Sequence, residues 1–216
     1  MRTSWSASFA LKAIAAIAML WNSSDSYAFS QNDSINPPWV DAPIFYDLDA
    51  AVTALENGMP VLRLDLSRKR LKVLPEKIGD LTELKELILD RNKLSELPAS
   101  LSALKQLEHF SAKSNQIAEF PQVILGWVNL THLDLGDNLV DAIPLHIDQL
   151  SALKTLSLWS NLIAQYPASL SDLKQLQLLD LEQNDMTEDE QSTLKSWIDP
   201  DVELLLSPPC RCDFDD

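Results

Sequence analysis

The sequence is poor in cysteine, glycine and positive charge, and each shortage excludes a class of protein. Its 216 residues include 2 cysteines and 4 glycines, too few for a disulfide scaffold or for collagen-like and glycine-rich architectures. The 17 lysines and arginines are outnumbered by 32 aspartates and glutamates, so the formal net charge is −15, which argues against a general nucleic-acid binder. No apolar run reaches the roughly 18 residues that a membrane-spanning helix needs. What remains, with 46% hydrophobic residues, is the composition of an ordinary globular chain.

Residues 1–28 have the features of a secretory signal peptide. Arg2 and Lys12 supply positive charge before an apolar run at residues 13–21, which is too short to span a bilayer. Small residues at Ser26 and Ala28 fit the positions that signal peptidase inspects, so we predict cleavage after Ala28. The mature protein is therefore expected to be exported, either periplasmic or secreted. The alternative is a cytosolic signalling scaffold that keeps this segment.

The middle of the chain repeats with a period of 23 residues. A Leu-Pro pair, with an aromatic residue or isoleucine sometimes replacing the leucine, recurs at this spacing, and its prolines are Pro75, Pro98, Pro121, Pro144 and Pro167. Asparagine keeps the same spacing, at Asn92, Asn115, Asn138, Asn161 and Asn184. A fixed period of this length indicates a stack of structural repeats.

Each repeat contains the parts of one small structural unit. A Leu-x-Leu pattern, such as Leu87 and Leu89, alternates with period two and predicts a short strand with one buried face. The asparagine three residues later can satisfy backbone groups of the turns that strand pairing leaves unmet. Proline, which has no N–H, suits the start of a short helical or 3-10 segment on the opposite side. One unit cannot bury its own leucines, but stacked units share a continuous core.

These motifs resemble the leucine-rich repeat family in its 23-residue form, Leu-x-x-Leu-x-Leu-x-x-Asn-x-Leu-x-x-Leu-Pro, over residues 61–184 in about six units. The resemblance implies an α/β fold: a curved solenoid with parallel strands on a concave face and short helical or 3-10 turns on a convex face. It also implies that the concave face binds ligands. The third unit departs from the pattern at Phe110, Ala112, Phe120 and Trp127, and we interpret this cluster as core repacking rather than a ligand pocket.

Covers are expected at both ends of the repeats, because an open solenoid end would expose leucines. At the amino end, residues 29–60 are predicted to form a linker and a capping helix, with Asp47 as N-cap and Asn57-Gly58 as the stop. We therefore expect the first leucines of the repeats to be covered by a helix.

At the other end, residues 185–206 are predicted to form a C-terminal cap that combines a helix with an edge strand. Thr187 and Glu190 form a capping-box pattern at the start of that helix. An acidic tail, residues 207–216, follows and contains Cys210 and Cys212. Three interpretations of this pair stay open: a tight local disulfide, a metal-binding pair or an intermolecular link.

The concave face is the predicted binding site, and its ligand is expected to be a protein or peptide. Arg68 and Arg91 lie at a basic end, opposite acidic residues at the other end, so this strip would orient a partner of complementary charge. Trp159 follows a core leucine and is expected to face solvent, as tryptophans of interaction hot spots do. The candidate contact residues are Arg68, Ile88, Arg91, His109, His132, Asp134, Asp137, Trp159 and Asp180.

Two other functions are consistent with the same residues. In a glycan-binding surface, Trp159 would stack on a sugar, with Asp134 and Asp180 accepting hydrogen bonds from hydroxyl groups. In a metal-dependent hydrolase, His109, His132 and Asp134 would hold the metal. Recognisable catalytic motifs are absent from the sequence, so we predict a binding protein without enzymatic activity, cofactor or nucleic-acid partner.

Overall fold

The computed structural model describes residues 37–164 and 166–209. The chain divides into two units, residues 1–41 and 42–216. In the first unit, residues 37–41 form a turn in which the Val40 N–H donates to the Pro37 carbonyl at 3.0 Å. The predicted signal peptide (residues 1–28) lies outside the described residues, and so do Cys210 and Cys212, for which the three interpretations given above stay open.

The second unit is built on one parallel sheet, whose strands follow each other in chain order. A buried residue occupies the middle of each repeat strand, and these residues pair directly with one another from Leu64 through Phe110 to Leu179. Their flanking residues turn away from the core, as the predicted alternation requires. The strands are β1 (Ile44–Phe45), β2 (Arg63–Asp65), β3 (Glu86–Ile88), β4 (His109–Ser111), β5 (His132–Asp134), β6 (Thr155–Ser157), β7 (Leu178–Asp180) and β8 (Glu203–Leu205).

Short 3-10 helices return the chain behind the sheet. Proline immediately precedes four of the five segments, and each segment ends next to a buried residue such as Leu104 or Trp127. The predicted solenoid of parallel strands and 3-10 turns is therefore confirmed. The five segments are Glu76–Asp80, Ala99–Ala103, Gln122–Gly126, Ile147–Gln149 and Ala168–Asp172.

A helix and an additional strand cover the first repeat. Helix α1 (Leu48–Glu56) begins at Asp47, whose carboxylate accepts from the Ala50 N–H at 2.9 Å, and Gly58 follows it with a φ of 77°. Strand β1 pairs in parallel with β2, although the repeat pattern does not extend to Ile44 and Phe45. The helix agrees with the prediction, whereas the strand was not predicted.

The other end of the repeats is covered by helix α2 (Glu188–Trp197) and strand β8. Thr187 and Glu190 form both hydrogen bonds of the predicted capping box. Strand β8 pairs in parallel with β7, so the last repeat strand has a neighbour on each side.

The repeated asparagines connect each turn of the chain to the turn before it. The amide of Asn138 donates to the carbonyls of Ala112 (3.1 Å) and Leu135 (2.9 Å), and its oxygen accepts from the Ile117 N–H at 3.1 Å. The other four make the equivalent bonds. We call this row the asparagine ladder. It satisfies buried backbone groups that the short strands leave unpaired.

The unusual residues of the third repeat belong to the core. The rings of Phe110 and Trp127 lie 5.0 Å apart between centroids, and Trp127 is fully buried. Its indole N–H donates to the Leu101 carbonyl at 3.0 Å, which satisfies the one polar atom of the buried ring. The core interpretation of this cluster is confirmed.

Candidate functional site

The exposed side of the sheet presents two parallel columns of side chains, which we call the strand face. From β2 to β8, one column is the first residue of each strand, and the other is the last residue of each strand. Because the strands pair in register, successive members of a column lie about 4.8 Å apart. The first column is Arg63, Glu86, His109, His132, Thr155, Leu178 and Glu203, and the second is Asp65, Ile88, Ser111, Asp134, Ser157, Asp180 and Leu205.

Most of the strand face is half-buried, and a shallow groove of about 290 Å³ crosses its centre. His109 and His132 lie in the groove together with Ile88, Asp134 and Ser157. Four predicted contact residues therefore meet at one place. Asp180 lies two strands from Asp134 in the same column and receives a hydrogen bond from Ser157 at 3.3 Å.

The two histidine rings are in contact, tilted against each other, at the centre of the face. Their ring centroids are 4.1 Å apart, with 51° between the ring planes, and Nδ1 of His132 lies 2.8 Å from the Thr131 hydroxyl. Burial, the neighbouring His109 and Lys154 lower the pKa of His132 to about 4. Burial also lowers the pKa of His109, against the opposing effect of Glu86 and Glu108. Both rings therefore favour the neutral form, which can both donate and accept hydrogen bonds.

The metal site predicted as an alternative is not supported. Asp134 is engaged with Lys113, at 3.3 Å, and accepts from the Gly136 N–H at 2.9 Å. In residues 37–164 and 166–209, no group of three or more His, Cys, Asp or Glu side chains is placed to hold a metal ion.

Lys113 joins two acidic residues at the margin of the strand face. Its ammonium lies 3.6 Å from Asp90 and 3.3 Å from Asp134. Asp90 also accepts from the Ser111 hydroxyl at 2.5 Å, and burial raises its pKa despite these favourable contacts. The sequence analysis did not identify this arrangement, although Asp90 and Lys113 are 23 residues apart and so occupy the same position in successive repeats.

Arg68, Arg91 and Asp137 lie beside the strand face rather than on it. They occupy the turn just before the ladder position, where six residues have left-handed backbone with φ between 52° and 59°. Arg68 and Arg91 line a cavity of about 440 Å³ together with Tyr46 and Lys113. Tyr46 is 58% exposed, whereas the sequence suggests that it packs beside the amino-terminal capping helix. Asp137 is exposed two turns further along this edge.

Trp159 is less exposed than the sequence predicts. Its indole lies against Gly136, the residue at the same position in the preceding repeat, so closely that a Cβ atom on Gly136 would overlap the ring. Trp159 is consequently half-buried. The sequence predicts a ring that faces solvent, and the structure partly covers it, because alternation along one strand does not account for a neighbour that lacks a side chain.

Comparison with known proteins agrees with this geometry. The leucine rich repeat family model matches residues 128–186. A leucine-rich repeat protein of Leptospira interrogans is 30% identical with a TM-score of 0.57, and the match covers 78% of this chain and 49% of that protein. Internalin C2 of Listeria monocytogenes is 25% identical with a TM-score of 0.58, covering 72% of this chain and 65% of the other. No curated protein matches the sequence.

A third similar structure is that of a complex. It is the leucine-rich repeat ectodomain of the plant membrane receptor kinase GASSHO1/SCHENGEN3 from Arabidopsis thaliana, in complex with CASPARIAN STRIP INTEGRITY FACTOR 2. It is 29% identical with a TM-score of 0.55, and the match covers 68% of this chain but only 18% of the ectodomain. This chain thus spans about half the length of the Leptospira protein and a smaller part of the plant receptor. The repeat period, the asparagine ladder and the family match together identify the chain as a member of the leucine-rich repeat family.

Proposed function

We propose that the chain binds a protein or peptide through its strand face and performs no catalysis. The observation that carries the proposal is the groove at the centre of the face, where neutral-favouring imidazoles stand beside hydroxyl and carboxylate groups. Such a surface offers both donors and acceptors at a fixed spacing. The packed core behind it keeps these groups in place, which reduces the entropy that binding must overcome.

The composition of the face suits a polypeptide ligand. Ile88 and Leu178 offer half-buried apolar contacts near the groove, and Ser111, Thr155 and Ser157 offer small polar ones. A mixture of apolar and hydrogen-bonding groups is typical of protein interfaces. The similar plant ectodomain was solved in complex with CASPARIAN STRIP INTEGRITY FACTOR 2, which agrees with the proposal.

We further propose that the protein is exported and acts in the periplasm or outside the cell. Residues 1–28 support this, and the similar structures include a receptor ectodomain. No helix of residues 37–164 and 166–209 combines the length and apolar character that crossing a bilayer requires. Amino-terminal sequencing of the protein from its native host is expected to begin at Phe29; a mature chain that begins at Met1 would overturn the export proposal.

Selection from a displayed random-peptide library tests the binding function. Peptides enriched on the chain are expected to lose at least about tenfold in affinity for Ser157→Arg, because the long side chain fills the groove. Ser151→Arg, which adds the same side chain at an exposed position outside the strand face, is the matched control and should bind normally. Equal binding to both variants would overturn the proposed site.

A glycan array separates the peptide function from the glycan-binding alternative. The peptide proposal expects no glycan whose binding is lost in Ser157→Arg and kept in Ser151→Arg. Enrichment of such a glycan, with no peptide recovered from the library, would assign the face to carbohydrate instead.

A further inference from the structure

Exposed cations gather on one edge of the repeats, in a protein whose net charge is −15. We call them the basic edge. Lys69 occupies the ladder position of the first repeat, the other four flank the ladder position in the first two repeats, and all five side chains are exposed. In the part of the chain that the structure describes, no carboxylate lies within 4.0 Å of their charged nitrogens, whereas Lys77, Lys85 and Lys113 each have an acidic partner. The basic edge is Arg68, Lys69, Arg70, Arg91 and Lys93.

The same edge becomes apolar further along the solenoid. Lys93 follows the first ladder asparagine, and the equivalent positions in the fourth and fifth repeats are Leu139 and Leu162. These leucines are 47% and 56% exposed. The backbone N–H groups of Lys93, Leu139 and Leu162 donate to the preceding turn in the same way, at 2.7–2.9 Å, so the three residues belong to one column.

The register of the repeats fixes the distance between the basic edge and the exposed leucines. At about 4.8 Å per repeat, Leu139 lies about 10 Å from Lys93 and Leu162 lies about 14 Å from it. An extended peptide advances about 3.3 Å per residue, so it would cover this distance in about three to four residues. Asp137 is exposed in the same repeat as Leu139, at the position equivalent to Arg68 and Arg91, and disfavours a negative group there.

We propose that this edge binds an extended peptide segment with an acidic block over the basic edge, an uncharged spacer and an apolar block over Leu139 and Leu162. The inference rests on the proposed peptide-binding function and names the chemistry of the partner. Charge complementarity assigns the acidic block, because no carboxylate of residues 37–164 and 166–209 lies within 4.0 Å of the charged nitrogens of these five cations. The exposed leucines favour a peptide over a sulfated glycan, and Asp137 would be repelled by an anionic membrane.

Fluorescence anisotropy with synthetic peptides tests the proposal. The probe carries a Glu-Asp block, a short Gly-Ser spacer and a Leu-Phe-Leu block, and it is prepared in both chain directions because the edge does not set the polarity of its ligand. At least one direction is expected to bind at least about tenfold more tightly than the same peptide with Gln and Asn in place of the acids. Its affinity should fall as salt is raised, since exposed charges are screened.

Matched variants locate the binding. The double variant Arg68→Asn with Arg91→Asn is expected to lower the affinity for the probe about tenfold. Asparagine is chosen because it tolerates the left-handed backbone of both sites. The charge-matched control, Lys105→Gln with Lys195→Gln, removes two cations elsewhere and should have no effect. Leu139→Ser with Leu162→Ser should also weaken binding about tenfold, whereas Leu145→Ser, which removes a 74% exposed leucine at another position, should not.

Each of the following outcomes would overturn the inference. The first is equal binding of the acidic and neutral peptides, and the second is equal loss in the edge variants and their controls. The third is failure of both peptides while a sulfated oligosaccharide or an anionic phosphatidylserine vesicle binds. The fourth is salt-sensitive self-association of the protein alone in sedimentation, lost in Arg68→Asn with Arg91→Asn, which would assign the edge to a second copy. If Ser157→Arg abolishes peptide binding and the edge variants do not, the inference fails and the proposed function stands.

Discussion

The ladder asparagines are the single residues on which the joint between neighbouring repeats depends most directly. Each one connects backbone groups from two successive turns, and four of the five are buried. The asparagine amide carries two donors and an acceptor in one plane without charge, and glutamine places the same group one methylene further from the backbone. A buried backbone group that loses its partner keeps its desolvation cost. Each ladder asparagine therefore stabilises the contact between two neighbouring repeats.

Asn138→Ala is therefore expected to lower the free energy of unfolding by about 1–3 kcal/mol. The substitution leaves the Ile117 N–H and the Ala112 and Leu135 carbonyls without their side-chain partner. Urea denaturation followed by circular dichroism measures the change. Asn129→Ala removes an exposed amide that bonds the Lys105 carbonyl and serves as control; an equal loss in both variants would contradict the ladder's role.

Gly136 and Trp159 form a coupled pair across one repeat joint. Gly136→Ala places a methyl group inside the space of the indole, and we expect a cost of about 1–3 kcal/mol from overpacking. In a Trp159→Ala background the same substitution should cost less than about 1 kcal/mol, because the space is then open. A double-mutant cycle from thermal or urea unfolding measures the coupling; additive effects would show that the ring does not constrain Gly136.

His132 is expected to make stability depend on pH in acid. Its folded pKa of about 4 lies below the ordinary value of about 6.5, so between these two values the unfolded chain binds more protons. The stabilisation is full above pH 6.5 and is lost as the pH falls toward 4. The slope of unfolding free energy against pH in this window should be shallower in His132→Gln than in the parent protein. An unchanged slope would show that the imidazole is not desolvated by its neighbours.

At the scale of elements, successive 3-10 helices pack closely behind the sheet. Gly79 of the first helix lies so close to Ser100 of the second that a Cβ on Gly79 would be 2.7 Å from the Ser100 carbonyl oxygen. Because backbone rather than a flexible side chain stands in the way, the helices would have to separate to admit it.

Gly79→Ala should accordingly destabilise the protein by about 1–3 kcal/mol. Gly126→Ala makes the same change in another 3-10 helix, where a Cβ would meet only the flexible Lys105 ammonium within 4 Å, and should cost less than about 1 kcal/mol. Parallel urea titrations of the two variants provide the measurement. A smaller loss for Gly79→Ala than for Gly126→Ala would contradict the close packing of these helices.

Sequence reasoning predicts those elements whose environment repeats, and fails for those that occur once. The Leu-x-Leu strands and the ladder follow from the 23-residue period, because each copy supports the assignment of the others. Strand β1, at Ile44 and Phe45, has no copy and is too short for an alternation to be visible. The left-handed turn at Arg68 and Arg91 could not be predicted from propensity, because arginine rarely adopts that conformation and the stacked backbone imposes it.

The candidate site was predicted in part for the same reason. The stacked positions of His109 and His132 follow from their 23-residue separation. Trp159 was misplaced because its surroundings depend on one neighbour, although the glycine 23 residues earlier is a usable signal. The basic edge was also missed beyond its two arginines, and the equivalent positions of Arg70 and Lys93 could have revealed it.

At the scale of the whole molecule, stability depends on neighbours and on the two covers. Within the described residues, each strand pairs only with the strands before and after it in the chain, so pairing with a more distant strand does not compensate for an exposed end. In such an architecture a missing cover leaves apolar surface and a strand edge in water. The ends should thus matter as much as the middle.

Removal of residues 185–216 is expected to lower the melting temperature markedly and to promote aggregation. The deletion exposes the edge of β7 and the buried Leu179 and Leu181. Thr187→Ala, which removes only the capping box, should cost about 1 kcal/mol and leave the protein monomeric. Differential scanning calorimetry with light scattering compares the truncated chain and Thr187→Ala with the parent protein. A truncated chain as stable and monomeric as the parent would show that the repeats do not need the C-terminal cover.

The side-chain hydrogen bonds of the ladder asparagines all reach residues that come earlier in the chain. Asn161, for example, bonds Leu135, Val140 and Leu158, each of which precedes it. During translation, the side chain of a newly emerged ladder asparagine therefore meets partners that the ribosome has already released, whereas backbone donors such as the Leu158 N–H bond carbonyls of the following turn. Assembly can proceed from first coil to last as the polypeptide grows, in the order in which domains generally fold during synthesis.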